Sequence, residues 1–296
     1  MSIPDPDLRR TWLFGPGADT AAHDAMLACP ADVLIADLED FTPAARREQA
    51  RAHMAALLTR WRDAGKVAVV RVNALETEGL TDLAAAMPGR PHVVAYPMVA
   101  KASQMVALDT AIAHWERTLQ IPPGTTEVLP VCETAIGVVD VRSIVAGSPR
   151  IRCALLGAED LAADLCAERH PDAVELDHAR RRFLLECRAA GIEPVDAPYT
   201  FTDAEGAATE ARYSRRLGYR CKSLVRPDHA VALNAVLTPS ADDVRRATAM
   251  VSAFEAARER GEDRALVAGL WVEVPTYRNA KRTVERAQRL AARTGA

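Results

Sequence analysis

The chain of 296 residues has six cysteines, Cys29, Cys132, Cys153, Cys166, Cys187 and Cys221, yet none forms a Cys-x-x-Cys pair. Several lie in apolar runs, which reads as reduced, buried thiols and argues against a disulfide framework. The seven histidines show neither His-x-His nor His-x-x-x-His spacing, so a histidine zinc site is not expected. No apolar run approaches the roughly 20 residues needed to span a bilayer. The N-terminal Met-Ser-Ile-Pro-Asp-Pro-Asp is acidic and lacks a secretory apolar core. A soluble, cytoplasmic protein that engages no membrane is the expectation. Also missing are a Gly-x-Gly-x-x-Gly turn after a strand and a Gly-x4-Gly-Lys-Ser/Thr loop, the phosphate cradles of open α/β sheets. A net charge of −3 argues against a general nucleic-acid binder. The cluster Arg180-Arg181-Arg182 reads as a solvated helix face, and Gly15-Pro16-Gly17 as a turn.

What the chain does have is ordinary globular composition, 49% hydrophobic and 26% charged, in a length that suits one large domain or two smaller ones. Short apolar or β-rich runs recur: 12–14, 33–37, 67–72, 93–97, 128–132, 153–156, 194–196 and 221–224. Between them lie Ala-, Glu- and Arg-rich stretches with helical spacing, such as 46–60 and 207–217. Thr202 and Glu205 have the spacing of a capping box. About eight βα units over ~225 residues match a closed (β/α)8 TIM barrel, with a doubly wound open sheet as the rival. The pattern changes after Asn234. Residues 240–260 read as a long helix capped by Ser240, 261–275 as a hairpin, and 277–292 as a basic helix. The expected division is a catalytic barrel over 1–236 and a lid or oligomerisation extension over 237–296.

In such a barrel the active site lies at the C-terminal ends of the strands. Asp37, Glu39 and Asp40 close or follow the second strand. Arg71 and Asn73 end the third, Glu133 the fifth, and Asp160 follows the sixth. Lys222 lies in the eighth, and Arg226 follows it. Taken singly, each has a plainer role: Asp40 or Asp160 as an N-cap, Arg71 and Lys222 as structural ion-pair partners, Asn73 as a turn residue, Glu159 facing solvent. Together, acids gathered at one mouth repel each other unless a cation neutralises them. Two carboxylates, Glu133 and Asp160, without Cys or His favour Mg2+ or Mn2+ over zinc. A 2-oxo or 2-hydroxy acid would fill two of the remaining positions, and Arg71 would steady an enolate oxygen beside it.

Several blocks also carry a resemblance. They are Arg10-Thr-Trp-Leu-Phe-Gly-Pro-Gly17, Ala31-Asp-Val-Leu-Ile-Ala-Asp-Leu-Glu-Asp40, Val70-Arg-Val-Asn73, Glu133-Thr-Ala-Ile-Gly137, Gly157-Ala-Glu-Asp-Leu-Ala-Ala-Asp164, Tyr199-Thr200, Glu205-Gly206 and Gly218-Tyr-Arg-Cys-Lys-Ser223. In this order and spacing the chain resembles the HpcH/HpaI aldolase and citrate lyase β-subunit superfamily, in its malyl-CoA-lyase-like branch, over nearly its whole length. The resemblance implies a (β/α)8 barrel in trimers or hexamers. It implies Mg2+ on Glu133 and Asp160, substrate contacts from Arg71, Gly157, Ala158 and Glu159, and the acids Asp37, Glu39 and Asp40 around the metal and its waters. A lid from a neighbouring subunit would supply a carboxylate from Val272-Glu-Val-Pro275, where Glu273 stands in place of the family's aspartate. Glutamate keeps the charge but moves it by one methylene, and a misplacement of ~1 Å can cost ~100-fold in rate. The acyl-carrier positions differ too: Ala25 and Leu270 replace family lysines, and Arg226-Pro227 replaces His-Pro. Arg10 is kept, and with Arg226 is the candidate cation for a coenzyme A phosphate.

The expected activity is a Mg2+-dependent carbon–carbon lyase or aldolase on a malyl-, citryl- or citramalyl-type acid or its acyl thioester, with Glu273 or Asp40 as base. Three alternatives remain open at this point: a malyl-type thioesterase, a pyruvate-type aldolase, and a catalytically weak regulatory subunit.

Overall fold

A computed structural model describes residues 3–294; the outermost two residues of the N-terminal stretch and of the C-terminal extension lie outside it. From the N-terminus, strands and helices alternate as β1 (Thr11–Pro16), α1 (Thr20–Ala28), β2 (Val33–Asp37), α2 (Ala44–Asp63), β3 (Val67–Arg71), α3 (Gly79–Ala86), β4 (Val93–Tyr96) and α4 (Ala102–Thr118). The second half runs β5 (Glu127–Cys132), the short α5 (Ala135–Val139) and α6 (Val141–Val145), then β6 (Cys153–Leu156), α7 (Glu159–Asp164), α8 (Asp177–Ala189), β7 (Glu193–Tyr199), α9 (Ala204–Leu217), β8 (Cys221–Leu224) and α10 (Ala230–Leu237). The eight strands are parallel and form a closed barrel in chain order. Pairing of β1 with both β2 (Trp12↔Val33) and β8 (Trp12↔Ser223) closes it, which decides for the (β/α)8 barrel over the open sheet.

Side chains alternate across a strand. One face of each strand fills the barrel interior with Trp12, Val33, Ile35, Val67, Val69, Val93, Leu129, Val131, Cys153, Leu155, Val195 and Cys221. These packed layers leave no channel. At the N-terminal end, the buried Arg9 is held by two hydrogen bonds to Glu127, at 2.6 and 2.9 Å. The opposite faces of the strands pack on the helices.

Three local expectations are corrected. Gly15 and Pro16 belong to β1 and make no turn. The cap of α9 is Asp203, whose carboxylate accepts from Gly206 N–H at 2.6 Å, one residue past Thr202. Arg180 of the arginine cluster is buried, as described below. Strand β7 runs past its apolar run through Pro198, and its pairing with β8 shifts register between Asp196 and Tyr199.

The chain divides into two compact units, Met1–Asn234 and Ala235–Ala296. In the second, α11 (Ala241–Glu259) starts at a capping box of Ser240 and Asp243. Then β9 (Ala265–Val267) and β10 (Leu270–Val272) pair antiparallel, and α12 spans Val274–Thr294. The two hairpin residues, Ala268 and Gly269, both have positive φ (49° and 82°), the requirement of a type I′ turn. Phe254 of α11 stacks on Tyr277 of α12 with ring centroids 4.7 Å apart. No helix among the described residues is long and apolar enough to cross a membrane.

Candidate active site

The two-residue period that builds the interior also builds the site. Continuing the inward row past Val33 and Ile35 reaches Asp37; past Val67 and Val69, Arg71; past Leu129 and Val131, Glu133; past Cys153 and Leu155, Gly157. The hydrophobic layers therefore end in a polar layer at the C-terminal mouth. A cavity of about 190 Å³ opens there, lined by Phe14, Asp40, Phe41, Arg71, Val131, Glu133, Leu155, Gly157, Ala158, Glu159, Asp160, Pro198, Thr200 and Val225.

Arg71 is fixed from one side by Asp37, with Nε to Oδ1 at 2.8 Å and Nη2 to Oδ2 at 2.5 Å. This is the fork-to-fork geometry that sets a guanidinium plane. Its Nη1 lies 2.9 Å from Glu39 Oε2 and Nη2 3.5 Å from Asp40 Oδ2. The Asp37 carboxylate also accepts from the N–H groups of Glu39 (2.9 Å) and Phe41 (3.0 Å), so it shapes the turn carrying the other two acids. The rings of Phe14 and Phe41 lie 5.2 and 6.0 Å from the Arg71 guanidinium carbon. Burial opposes the Arg71 charge, but Asp37, Glu39 and Glu133 outweigh it and hold its pKa above the ordinary arginine value. Asn73 donates to Leu38 O (2.9 Å) and to Asp82 (2.8 Å), tying the ends of β2 and β3 together outside the cavity.

Glu133 is buried and accepts from Met98 N–H at 2.7 Å. Met98 has a positive φ of 49°, unusual for a residue with a side chain, and this conformation accompanies the N–H that meets the carboxylate. Burial pushes the Glu133 carboxyl up to about 8, with Arg71 and the Met98 N–H pulling the other way and Asp160 and Glu39 adding to the rise. Burial and Asp40 raise Asp160, which lines the cavity with Glu133. Burial likewise lifts Glu39 to about 7. Gly157 permits this arrangement: a Cβ there would sit 2.5 Å from Glu133 Cβ and 2.7 Å from its Oε2.

Five acids, Asp37, Glu39, Asp40, Glu133 and Asp160, thus meet one guanidinium. Burial makes Glu39, Glu133 and Asp160 hold protons they would ordinarily lose, and a divalent cation is the natural relief. Among the described residues no group of three or more His, Cys, Asp or Glu has metal-holding geometry. The adjacent Glu133 and Asp160 are two hard oxygen donors, a set that suits Mg2+ with its remaining positions filled by water or substrate. Neither Asp40 nor Asp160 caps a helix: α2 begins after Pro43, and Asp160 is the second residue of α7 after Ala158.

Several expected residues do not gather at the mouth. Arg10 precedes β1 and binds Asp32 at 2.9 Å at the N-terminal end of the barrel. A six-residue strand at ~3.3 Å per residue separates it from the mouth by about 20 Å, so it does not reach the cavity of its own barrel as a carrier site. Arg226 follows β8 but is half-buried and bridged to Asp228 at 2.7 Å. Lys222 points outward from β8 and is fully buried, 2.8 Å from Asp196 and 3.1 Å from Glu210. Asp37 is buried behind Arg71 and does not line the cavity. Glu159 lines it, accepts from Thr200 Oγ1 at 2.7 Å and pairs with Arg169 at 3.1 Å. Glu273 is an exposed residue of the second unit, between β10 and α12. Sequence reading missed the Met98 N–H, because backbone donors leave no residue signature, and the apolar members Phe14, Phe41, Pro198 and Val225. The inward parity of β1 and β8 was the available signal for Phe14 and Val225.

Fold and site together define a class: a (β/α)8 protein with an acid-rich, arginine-bearing mouth suited to divalent cations and small oxyacids. Within that class, residues 10–227 match the family model of HpcH/HpaI aldolase/citrate lyase, and the chain belongs to this family. It is 32% identical over 280 residues to the citrate lyase subunit beta of Leuconostoc mesenteroides, covering 94% of this chain and 93% of the relative. It is 31% identical over 314 residues to an L-malyl-CoA/beta-methylmalyl-CoA lyase of Cereibacter sphaeroides, covering 98% of each. Among solved structures, it resembles the protein CitE of Mycobacterium tuberculosis in complex with magnesium, acetoacetate and coenzyme A. That match has a TM-score of 0.74 and 26% identity, over 94% of this chain and 98% of the other.

Proposed function

We propose that this chain is a Mg2+-dependent carbon–carbon lyase acting on a 2-hydroxy acid or its acyl thioester. The observation that carries this reading is the pair of carboxylates Glu133 and Asp160, both lining the cavity beside the Asp37-clamped Arg71, at the mouth of a barrel of this family. The relatives support it: they are named citrate lyase subunit beta and malyl-CoA lyase. A structural neighbour holds magnesium, acetoacetate and coenzyme A.

Glu133 and Asp160 would hold the Mg2+, which when bound supplies Lewis acidity at the oxygens of the acid. Arg71, already oriented by Asp37, offers its guanidinium edge to the oxygen that gains charge as the carbon–carbon bond breaks. In the cleavage direction a base takes the hydroxyl proton, and that carbon becomes the carbonyl of an oxo acid. The electron pair of the broken bond passes to the other fragment as an enolate, which then takes a proton at carbon. Asp40, on the cavity wall and 3.5 Å from Arg71, is one candidate base. Glu273 of a neighbouring subunit is the other; its exposed position between β10 and α12 leaves the carboxylate available to another chain. In this reading residues 237–296 serve as lid and oligomer arm of a homotrimer or homohexamer. Exposed Leu266, Leu270 and Trp271 on the hairpin support an apolar contact there.

Titration calorimetry of Mg2+ with the wild-type chain and Asp160→Ala, alongside turnover of a malyl thioester, tests the proposal. Both metal binding and turnover are expected to be lost in the variant; full activity in Asp160→Ala would remove the mechanism.

A further inference from the structure

Glu133 and Asp160 reach the mouth on neighbouring segments that leave the barrel and part. Strands β5 and β6 pair up to Cys132 and Leu156, and the last rung is the hydrogen bond from Gly157 N–H to Cys132 O at 3.1 Å. Beyond it one segment runs through Glu133 and Thr134 into α5, and the other through Ala158 into α7. One hydrogen bond rejoins them: Ala135 N–H donates to Asp164 Oδ2 at 2.7 Å. Ala135 is the first residue of α5, and Asp164 is the last of α7.

An acid in that place is not one that α7 favours. A carboxylate in the last turn of a helix faces the negative end of the helix dipole, whereas one at the start of a helix meets unpaired N–H groups. Asp164 belongs to α7 but serves α5. It takes the first N–H of α5, while Thr134 Oγ1 accepts the third, from Gly137 at 3.2 Å. Asp164 also follows Asp160 by four residues, which puts both acids on one face of α7. The start of α7 is held from another direction by Thr200 Oγ1, which donates to Glu159 at 2.7 Å. A closed frame results. The β5–β6 rung is one side, the Ala135–Asp164 bond is the other, and the two carboxylates sit on the limbs between them.

We infer that Asp164 is a positioning residue for the proposed metal ligands: by accepting from Ala135 N–H it fixes the spacing of Glu133 and Asp160, without lining the cavity itself. Mg2+ demands near-octahedral geometry, so its affinity depends on how its protein ligands are spaced. The inference rests on the Mg2+ site of the reading above and adds to it a residue that acts through two others.

The test is Mg2+ titration calorimetry on the full chain, with the melting temperature of each metal-free variant recorded alongside. Asp164→Ala removes the acceptor, and Mg2+ affinity is expected to fall about fivefold, short of the ~10–100-fold typical of a direct hydrogen-bond partner of a metal ligand. Asp164→Asn removes the charge but keeps an oxygen that can accept the same N–H, and should stay within about twofold of wild type. Ala135→Pro removes the donor from the other limb. Proline suits the first position of a helix, Ala135 is exposed, and Thr134 before it is already extended (φ −134°, ψ 158°). This variant is expected to match Asp164→Ala, and the double variant to lose no more than either single one. Should Asp164→Ala misfold, Ala135→Pro set against wild type decides. Equal losses in Asp164→Ala and Asp164→Asn would make the effect one of charge and overturn the inference. Wild-type Mg2+ affinity in Asp164→Ala or Ala135→Pro, with a lowered melting temperature or without one, would reduce the bond to a cap of α5 and overturn it too. Either result leaves the lyase reading intact. Absence of Mg2+ binding by the wild-type chain overturns both.

Discussion

Gly157 shows how one residue can govern the chemistry of another. Its missing side chain is the space that Glu133 occupies, with a would-be Cβ 2.5 Å from Glu133 Cβ. Because that contact is with a constrained, buried side chain, Gly157→Ala is expected to displace the carboxylate and not merely crowd it. Mg2+ affinity should fall by about tenfold or more while the melting temperature changes little; calorimetry that finds wild-type Mg2+ affinity in the variant would contradict this. His92 offers a second residue-level test. Burial lowers its pKa to about 4, and its Nδ1 accepts from Ala68 N–H at 3.0 Å, so the fold holds the ring neutral. In the unfolded chain the ring titrates near 6.5. Between those values the unfolded state binds the extra proton, so the His92 contribution is complete above pH ~6.5 and is lost as pH falls toward 4. The melting temperature should drop between pH 6.5 and 5, and less steeply in His92→Asn, whose amide oxygen can accept the same N–H. Equal slopes would show that His92 is not the titrating group. The acids and Arg71 were legible in the sequence because each closes or follows an apolar strand run. Glycine's role was not, since its effect lies in a neighbour at the end of the adjacent strand, 24 residues away in sequence.

At the scale of elements, the inward row of each strand sets the site and the outward row sets the packing. Asp196 and Lys222 are middle residues of β7 and β8 that face away from the interior. There they meet Arg180 of α8 and Glu210 of α9 in one buried network, with Arg180 to Asp196 at 2.6 Å. Parity explains why sequence reading placed Lys222 at the mouth: an even–odd slip of one residue moves a side chain from one face to the other. The same network explains why Arg180, inside a run of three arginines, is not solvated: helical spacing turns one of the three inward, and two carboxylates await it. Burial raises the Asp196 pKa, but Arg180 and Lys222 outweigh it and hold the carboxylate well below its usual range. Its stabilising charge is therefore present above pH ~4 and lost only as pH falls through the lowered value. Asp196→Asn would leave two buried cations short of a counter-charge and should cost roughly 3–5 kcal/mol in urea unfolding. A loss below about 1 kcal/mol would mean that the network relaxes around the change. The eight-strand alternation itself was readable, and only Pro198 and the Gly15-Pro16 pair concealed strand length, because both residues ordinarily signal turns.

At the scale of the whole molecule, the barrel carries every acid of the proposed metal site, while the candidate lid carboxylate Glu273 belongs to a separate unit. If Glu273 acts on a neighbouring subunit, two inactive variants should complement each other. Arg71→Ala and Glu273→Ala, unfolded and refolded together, would regain up to about a quarter of wild-type activity by random assembly. No regain on mixing would confine Glu273 to its own chain or remove it from catalysis. The cavity wall was only partly legible in the motifs, because Phe14, Pro198 and Val225 are scattered residues that look like ordinary core. The central claim, metal-assisted carbon–carbon cleavage at Glu133 and Asp160, is tested most directly by measuring 2-oxo acid release from a malyl-type thioester with a hydrazine reagent in the presence of Mg2+. The account predicts oxo acid in step with substrate loss, abolished when Mg2+ is chelated. Free thiol released with no oxo acid would contradict it.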